Sequence, residues 1–289
     1  EYLLNKDSLK LSKKGQLKFV NEHQNFSKDL IHLIESLTKT VDLSLISCAI
    51  DNKHGSCSET WKSIFNCSQL KNYKIFNEKP LSNFGNIEPN PTQFESLNEL
   101  RNYVKNEKCH LGIANDPDGD RHVIIDETGS FLLPEETALI IFDYLIECNV
   151  PISGIVSTIA SSRILKTACK KNNLHYEETP VGFKFLSSYL SQCNLNNCIG
   201  LGVESSGGFS LSNHTLEKCG FLPGLLVAHI LSQTKQSLSE KREAINTKYG
   251  TTTFLESIFS YHENSKEHII KELSSPDIQT CQIIFDNSI

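Results

Sequence analysis

Methionine is absent from all 289 residues, and tryptophan occurs once. A chain of this length ordinarily carries several methionines, one as initiator, so the expectation is a fragment or a processed piece. Long apolar runs are absent too. The most apolar stretches, Ala138–Ile146 and Phe221–Leu231, are broken by Asp143 and His229. A membrane span needs about 20 apolar residues, so none is expected. The opening Glu1-Tyr2-Leu3-Leu4-Asn5-Lys6 lacks the layout of a signal peptide. There is no basic cluster: 28 Lys and Arg face 34 Asp and Glu, a formal charge of −6. That balance argues against a nucleic-acid partner. An anionic ligand would need local positive charge or a metal ion. No Cys-x-x-Cys occurs among the ten cysteines, and the nearest pair is Cys193 and Cys198. Scattered cysteines in a chain of this length read as free thiols in a reducing compartment, with a cytoplasmic location expected and a zinc site the minor alternative.

What is present is an ordinary globular composition, 38% hydrophobic and 21% charged. The length suits about two domains. Apolar runs of strand length alternate with segments of helical spacing, which predicts an α/β fold. Helical spacing covers Asp29–Thr40, with Ser27 available as a cap, then Ser58–Phe65, and then a helix opened by the capping box Thr92-Gln93-Phe94-Glu95. Strands are expected at Leu43–Ile50, Lys74–Phe76, His110–Ala114 and His122–Asp126. A second unit starts at Pro134, a residue favoured at the first helical position, with Glu135 and Glu136 suited to the positive helix end. It continues with strands at Ile152–Ser157, His175–Glu177 and Cys198–Val203 and helices at Ser162–Asn172, Phe185–Ser191, Gly220–Gln233 and Leu238–Lys248. Glu204–His214 reads as a Gly/Ser-rich loop. The fold class is therefore two consecutive α/β domains with mixed sheets, joined near Phe131–Leu133, plus a partial C-terminal tail. The expected bounds are 1–130, 131–250 and 251–289. No internal repeat is obvious.

Three loops follow apolar strands, the place where α/β sheets bind ligands. In Asn115-Asp116-Pro117-Asp118-Gly119-Asp120-Arg121, three alternating carboxylates would repel one another unless a divalent cation joined them. The bland alternative is a solvated acidic turn. An EF-hand is excluded by Arg121 where glycine is required, and a phosphatase Asp-x-Asp motif fits poorly with Asp120 in its next variable position. Arg121 adds a fork for phosphate. Thr179-Pro180-Val181-Gly182-Phe183-Lys184 ends a strand and opens a helix, where Gly182 and Lys184 could face an anion. In Gly202-Val203-Glu204-Ser205-Ser206-Gly207-Gly208, a carboxylate and hydroxyls could hold a diol, or the loop could be a plain flexible turn.

Taken in order, these loops, together with Gly112–Asp126, Pro89-Asn90-Pro91 and Asp51–Gly55, resemble the α-D-phosphohexomutases, the phosphoglucomutase/phosphomannomutase family. The resemblance covers roughly Tyr2 to Gly250 and corresponds to the second and third of the family's four domains, with domains one and four missing. It implies a transfer of phosphate between the 1- and 6-positions of a hexose through an enzyme phosphoserine. It implies that Asp116, Asp118 and Asp120 bind Mg²⁺, that Arg121 and Lys184 serve catalysis at the phosphoryl group, and that Gly182, Glu204 and Ser206 hold the sugar phosphate. This sequence departs from the family pattern at several points. No Ser-His-Asn-Pro phosphoserine loop and no Arg-x-Ser-Gly-Thr phosphate clamp is present; Lys218-Cys219 stands where Lys-Asp is expected, and Ser205 where an acid is common. The chain alone is therefore expected to be inactive. A non-catalytic sugar-phosphate-binding homologue is the alternative, and a metal-dependent phosphatase with an aspartyl nucleophile a third reading.

Overall fold

The computed structural model describes residue 20 and residues 22–252. Two mixed sheets organise them. The first has strands β1 (Ser47–Asp51), β2 (Asn72–Phe76), β3 (Leu111–Asn115), β4 (His122–Asp126) and β5 (Phe131–Leu132), in the order β2-β1-β3-β4-β5. The second has β6 (Ile152–Thr158), β7 (His175–Thr179), β8 (Ile199–Val203) and β9 (Phe209–Leu211), in the order β7-β6-β8-β9. In each sheet the first three strands are parallel and the fourth turns back antiparallel. Parallel strands need crossovers, and helices supply them. These are α2 (Ser58–Cys67) and α3 (Asn98–Asn106) in the first sheet, α5 (Ile164–Lys171) and α6 (Phe183–Leu195) in the second. The two halves thus share one topology, a repeat that the sequence hides.

The inner strands bury both faces, whereas the edge strands β2 and β7 are largely open, so the buried side chains sort by alternation. Cys48, Ile50, Leu111, Ile113 and Ile124 face one cluster, whereas Ala49, Ala114, Val123 and Ile125 face α3 residues Leu100 and Val104. In the second sheet Val156 meets Phe183, Leu186 and Leu190 of α6. The remaining faces of both sheets share one core. Into it pack α1 (His23–Leu37), α4 (Pro134–Glu147) and α7 (Phe221–Thr234), the last with every residue from Phe221 to Leu231 buried. Helix α7 touches β3, β4 and β9, so it underlies both sheets. His229 sits fully buried on it, its Nε2 3.0 Å from Thr38 Oγ1 and 3.4 Å from Tyr144 Oη. Helix α8 (Leu238–Tyr249) closes the described chain, capped by Ser237 and Glu240 and joined to the first half where Glu127 accepts from Ser239.

Several local expectations shift. Helix α1 begins at His23, and Ser27 lies inside it, its hydroxyl donating to the His23 carbonyl at 2.7 Å. Residues 43–46 form a turn before β1, closed by Ile46 N–H to Leu43 O at 3.0 Å. Leu43 and Ile46 are buried while Leu45 points to solvent, so the apolar run there is a turn with two anchored ends and not an extended strand. Thr92 does not cap α3; its N–H and hydroxyl both turn to Asn90 Oδ1, at 3.2 and 3.0 Å, and a 3₁₀ turn at Phe94–Leu97 intervenes. The Gly/Ser-rich segment contains β9, too short to show alternation. Phe131–Leu132, read as a junction, pairs with β4 as an edge strand. Pro134 does open α4, with Glu136 accepting from Leu133 N–H at 2.9 Å. The expected tail from residue 253 onward lies outside the described residues.

Candidate functional site

Strand β3 delivers Asn115, fully buried, to the base of the acidic loop. Its Oδ1 accepts from Trp61 Nε1 and its Nδ2 donates to Arg121 O, each at 2.8 Å, so one side chain clamps both ends of the loop. Inside, Gly119 N–H donates to Asp116 O at 3.1 Å and Gly119 takes φ +76°, a turn that brings the carboxylates together. One ligand oxygen from each of Asp116, Asp118 and Asp120 lies within 4.8 Å of the others. It is the only group of three or more acidic, cysteine or histidine ligands among the described residues. The nine cysteines described are all free thiols.

The donor set fits a hard dication. Three carboxylate oxygens gathered in one turn are the ligand type that Mg²⁺ and Ca²⁺ take, and they would draw closer together on binding either. Two basic side chains lie against these carboxylates as counter-charges. Arg121 donates from N–H at 3.0 Å and from Nε at 2.6 Å to the two oxygens of Asp116. Its Nη1 reaches Asn90 Oδ1 at 3.4 Å, which gives the Pro89-Asn90-Pro91 segment a role in aiming the guanidinium. Lys218 Nζ lies 3.1 Å from Asp120 Oδ2. Asp116 is nearly inaccessible, and burial, only partly offset by its bonds to Arg121, pushes its carboxyl up to about 6. Desolvation of a carboxylate favours the neutral form, and a bound cation reverses that.

The second loop repeats the turn. Gly207 N–H donates to Glu204 O at 3.1 Å, Glu204 N–H donates to Gly208 O at 2.9 Å, and Gly207 takes φ +98°. Glu204 is 6% exposed, and burial raises its carboxyl against the pull of Lys218 and the Gly182 N–H. A Cβ on Gly208 would fall 2.7 Å from Glu204 Oε2, so the carboxylate lies directly over that glycine. Ser206 sits half-buried at the tip. Gly182, at φ +127°, opens α6. Lys184 is exposed in its first turn with Nζ 4.9 Å from the Phe185 ring centroid, a cation–π contact, so its ammonium is not drawn into the carboxylate cluster.

The acidic and Glu204 loops touch. Arg121 and Gly208 form a β-bridge, and Gly220 N–H donates to Gly119 O at 2.9 Å. The Gly207 carbonyl accepts twice from His122, from its N–H at 3.0 Å and its Nδ1 at 2.7 Å. Burial holds His122 down to about 4, so it is neutral at pH 7, with its proton on the Nδ1 that faces the carbonyl. Between the loops stands Lys218, 3.1 Å from Asp120 and electrostatically paired with Glu204. Sequence reasoning registered Lys218 only as a departure and passed over His122. Position next to the loop was the one available signal for His122; the contact of Lys218 is long-range and leaves no local pattern.

Comparison with known proteins identifies both halves of the fold. The family description "Phosphoglucomutase/phosphomannomutase, alpha/beta/alpha domain II" matches residues 10–129, and "domain III" matches residues 134–249. The chain is similar to phosphoglucomutase 2 of Saccharomyces cerevisiae, 26% identical over 274 residues, 85% of this chain and 46% of that protein. Over 205 residues it is 29% identical to phosphoglucosamine mutase of Streptococcus pyogenes serotype M1, 71% of this chain and 44% of that one. In fold it is similar to the crystal structure of a candidate phosphomannomutase from Thermus thermophilus, with TM-score 0.72 and 20% identity, covering 83% of this chain and 53% of the other. The chain spans about half the length of these relatives. On the two domain matches and the topology that underlies them, it belongs to the phosphoglucomutase/phosphomannomutase family.

Proposed function

We propose that this chain carries the cation-binding and sugar-binding loops of a hexose phosphate mutase, and that the cation is Mg²⁺. The observation that supports this most is the convergence of Asp116, Asp118 and Asp120 oxygens within 4.8 Å, beside Arg121 and Lys218 and bonded to the Glu204 loop. Asp116, Asp118 and Asp120 would hold the ion, which supplies charge neutralisation at a phosphoryl oxygen. The chain's own residues do the rest. Once a cation neutralises the carboxylates, Arg121 and Lys218 are less needed as counter-charges and can turn toward a phosphate. Glu204 accepts hydrogen bonds from sugar hydroxyls, with Ser206 beside it and the Gly182 backbone nearby. Lys184 swings from Phe185 to reach the substrate phosphate. Family domains two and three are assigned to 1–130 and 131–250, in a cytoplasmic mutase whose phosphoserine and phosphate clamp are supplied by family domains one and four.

Calorimetric titration tests the reading. Mg²⁺ binds the wild-type chain, and Asp118→Ala weakens it; equal affinity for both would defeat the assignment. The 289-residue chain alone does not interconvert hexose 1- and 6-phosphates, since no Ser-His-Asn-Pro loop occurs in it. Observed turnover, checked by a coupled assay, would refute that part. A second reading is a non-catalytic sugar-phosphate binder, in keeping with Ser205 and Cys219 where the resemblance leads one to expect acids; it predicts binding of glucose 1,6-bisphosphate with no phosphoryl transfer even when the rest of a family member is supplied.

A further inference from the structure

The acidic loop belongs to the first sheet and the Glu204 loop to the second, yet His122 joins them through one atom. The Gly207 carbonyl accepts from both the backbone and the imidazole of the residue that follows the acidic loop, at 3.0 and 2.7 Å. The ring is 1% exposed, edge-on to Phe209 of β9 at 6.3 Å between centroids. Burial, the Phe209 contact and the bond to Gly207 O together hold the ring in place. A methyl on Gly207 would lie 2.4 Å from the His122 carbonyl, so the two backbones are already at closest approach. The bridge between Arg121 and Gly208 continues the same contact. A buried side chain bonded across to a neighbouring loop transmits displacement instead of absorbing it.

We propose that His122 is a positioning residue through which occupancy of the Asp116–Asp120 loop by a divalent cation orders the Glu204–Gly208 loop. The proposal rests on the cation reading above. Closing three carboxylates on an ion fixes Arg121, the residue between Asp120 and His122. The imidazole then holds the Gly207 carbonyl, and with it the turn that carries Glu204 and Ser206. The turn amides report this directly, because Gly207 N–H and Glu204 N–H are both hydrogen-bonded within the loop and exchange only when it opens. The coupling is reciprocal: whatever orders the Glu204 loop tightens cation binding.

The test is amide hydrogen exchange of the 289-residue chain with Mg²⁺ alone as probe. In the wild type Mg²⁺ slows exchange at Gly119 and Arg121 and also at Glu204 and Gly207, by about fivefold or more, the lower end of site-to-site couplings. In His122→Phe the slowing at Gly119 and Arg121 remains and that at Glu204 and Gly207 is lost. The backbone N–H of residue 122 still donates to Gly207, which keeps the loops in place. His122→Leu serves the same purpose if the Phe variant does not fold. His122→Asn, which retains a side-chain N–H donor, restores the slowing. Protection confined to Gly119 and Arg121 in the wild type overturns the coupling and leaves the cation reading standing. Transmission unchanged in both apolar variants overturns the role of the imidazole. No protection at either loop removes the cation reading and this inference together.

Discussion

Asp116–Gly119 and Glu204–Gly207 are closed by the same hydrogen bond, glycine N–H to the carbonyl of the acid three residues back, 3.1 Å in each. Each follows the third parallel strand of its sheet and leads into the antiparallel fourth. Each starts with a buried acid and ends its turn on a glycine of positive φ. They differ in what the turn displays. The first adds Asp118 and Asp120; the second has Ser206 and Gly208 in their place. One backbone solution thus yields a cluster of negative charge in one half and a single carboxylate among hydroxyls in the other. The lesson is that the turn supplies the position and the side chains alone supply the chemistry.

The largest expected effect tests the shared backbone. Gly207→Ala destabilises by about 3–4 kcal/mol, because left-handed φ is strained and the nearest atom, His122 O at 2.4 Å, is backbone that cannot yield. Gly119→Ala costs less, about 2 kcal/mol, because its Cβ meets the side chains of Phe221 and Cys57, which can move. Equal losses in urea unfolding would mean the two turns are held alike. Acid should act next, on the seam the halves share. Burial holds His229 down to about 4 against an ordinary value of 6.5. The unfolded chain therefore binds the extra proton first, and stability present above pH 6.5 is lost as pH falls toward 4. Between pH 7 and pH 5 the loss is about 2 kcal/mol, and His229→Gln removes that part of the pH dependence, measured by denaturant midpoints. A smaller change tests the chemistry. Asp118→Ser, which gives the first loop the hydroxyl of the second, weakens Mg²⁺ binding about tenfold, or about 1.4 kcal/mol. The reverse, Ser206→Asp, adds a carboxylate where Gly208 offers no third. It alters Mg²⁺ affinity by no more than about twofold. A new high-affinity site in that variant would show that the second turn alone suffices.

Much of this arrangement was legible in the sequence because its signals are local. Strand β4 lies on its expected bounds, Pro134 starts α4, and the three aspartates converge as their spacing implied. What escaped was settled by distant partners. The capping box at Thr92 failed because the chain forms a 3₁₀ turn at Phe94–Leu97 and α3 starts only at Asn98, while Thr92 is held back toward Asn90. Strand β9 hid among glycines and serines because three residues cannot show a period. The repeat stayed hidden because little but the backbone path is shared: at matching register positions β1 carries Ala49 and Asp51 where β6 carries Gly154 and Val156. Lys184 lies over the Phe185 ring, a contact between near neighbours in the sequence that no motif announces. Among the described residues no helix is long and apolar enough to cross a membrane, although α7 is buried along most of its length.

That helix has a consequence for handling the protein. Phe221 packs on Trp61 and Phe26 of the first half, while Leu225 and Leu226 belong to the core shared with the second. Gly224 lets α7 lie against Ile113, where a methyl would come within 2.8 Å. Severing the gene between residues 130 and 134 would leave one product with an uncovered sheet face and the other with a greasy helix in water. The two halves look alike in outline, yet each completes its core only with its sibling, because α7 packs against both.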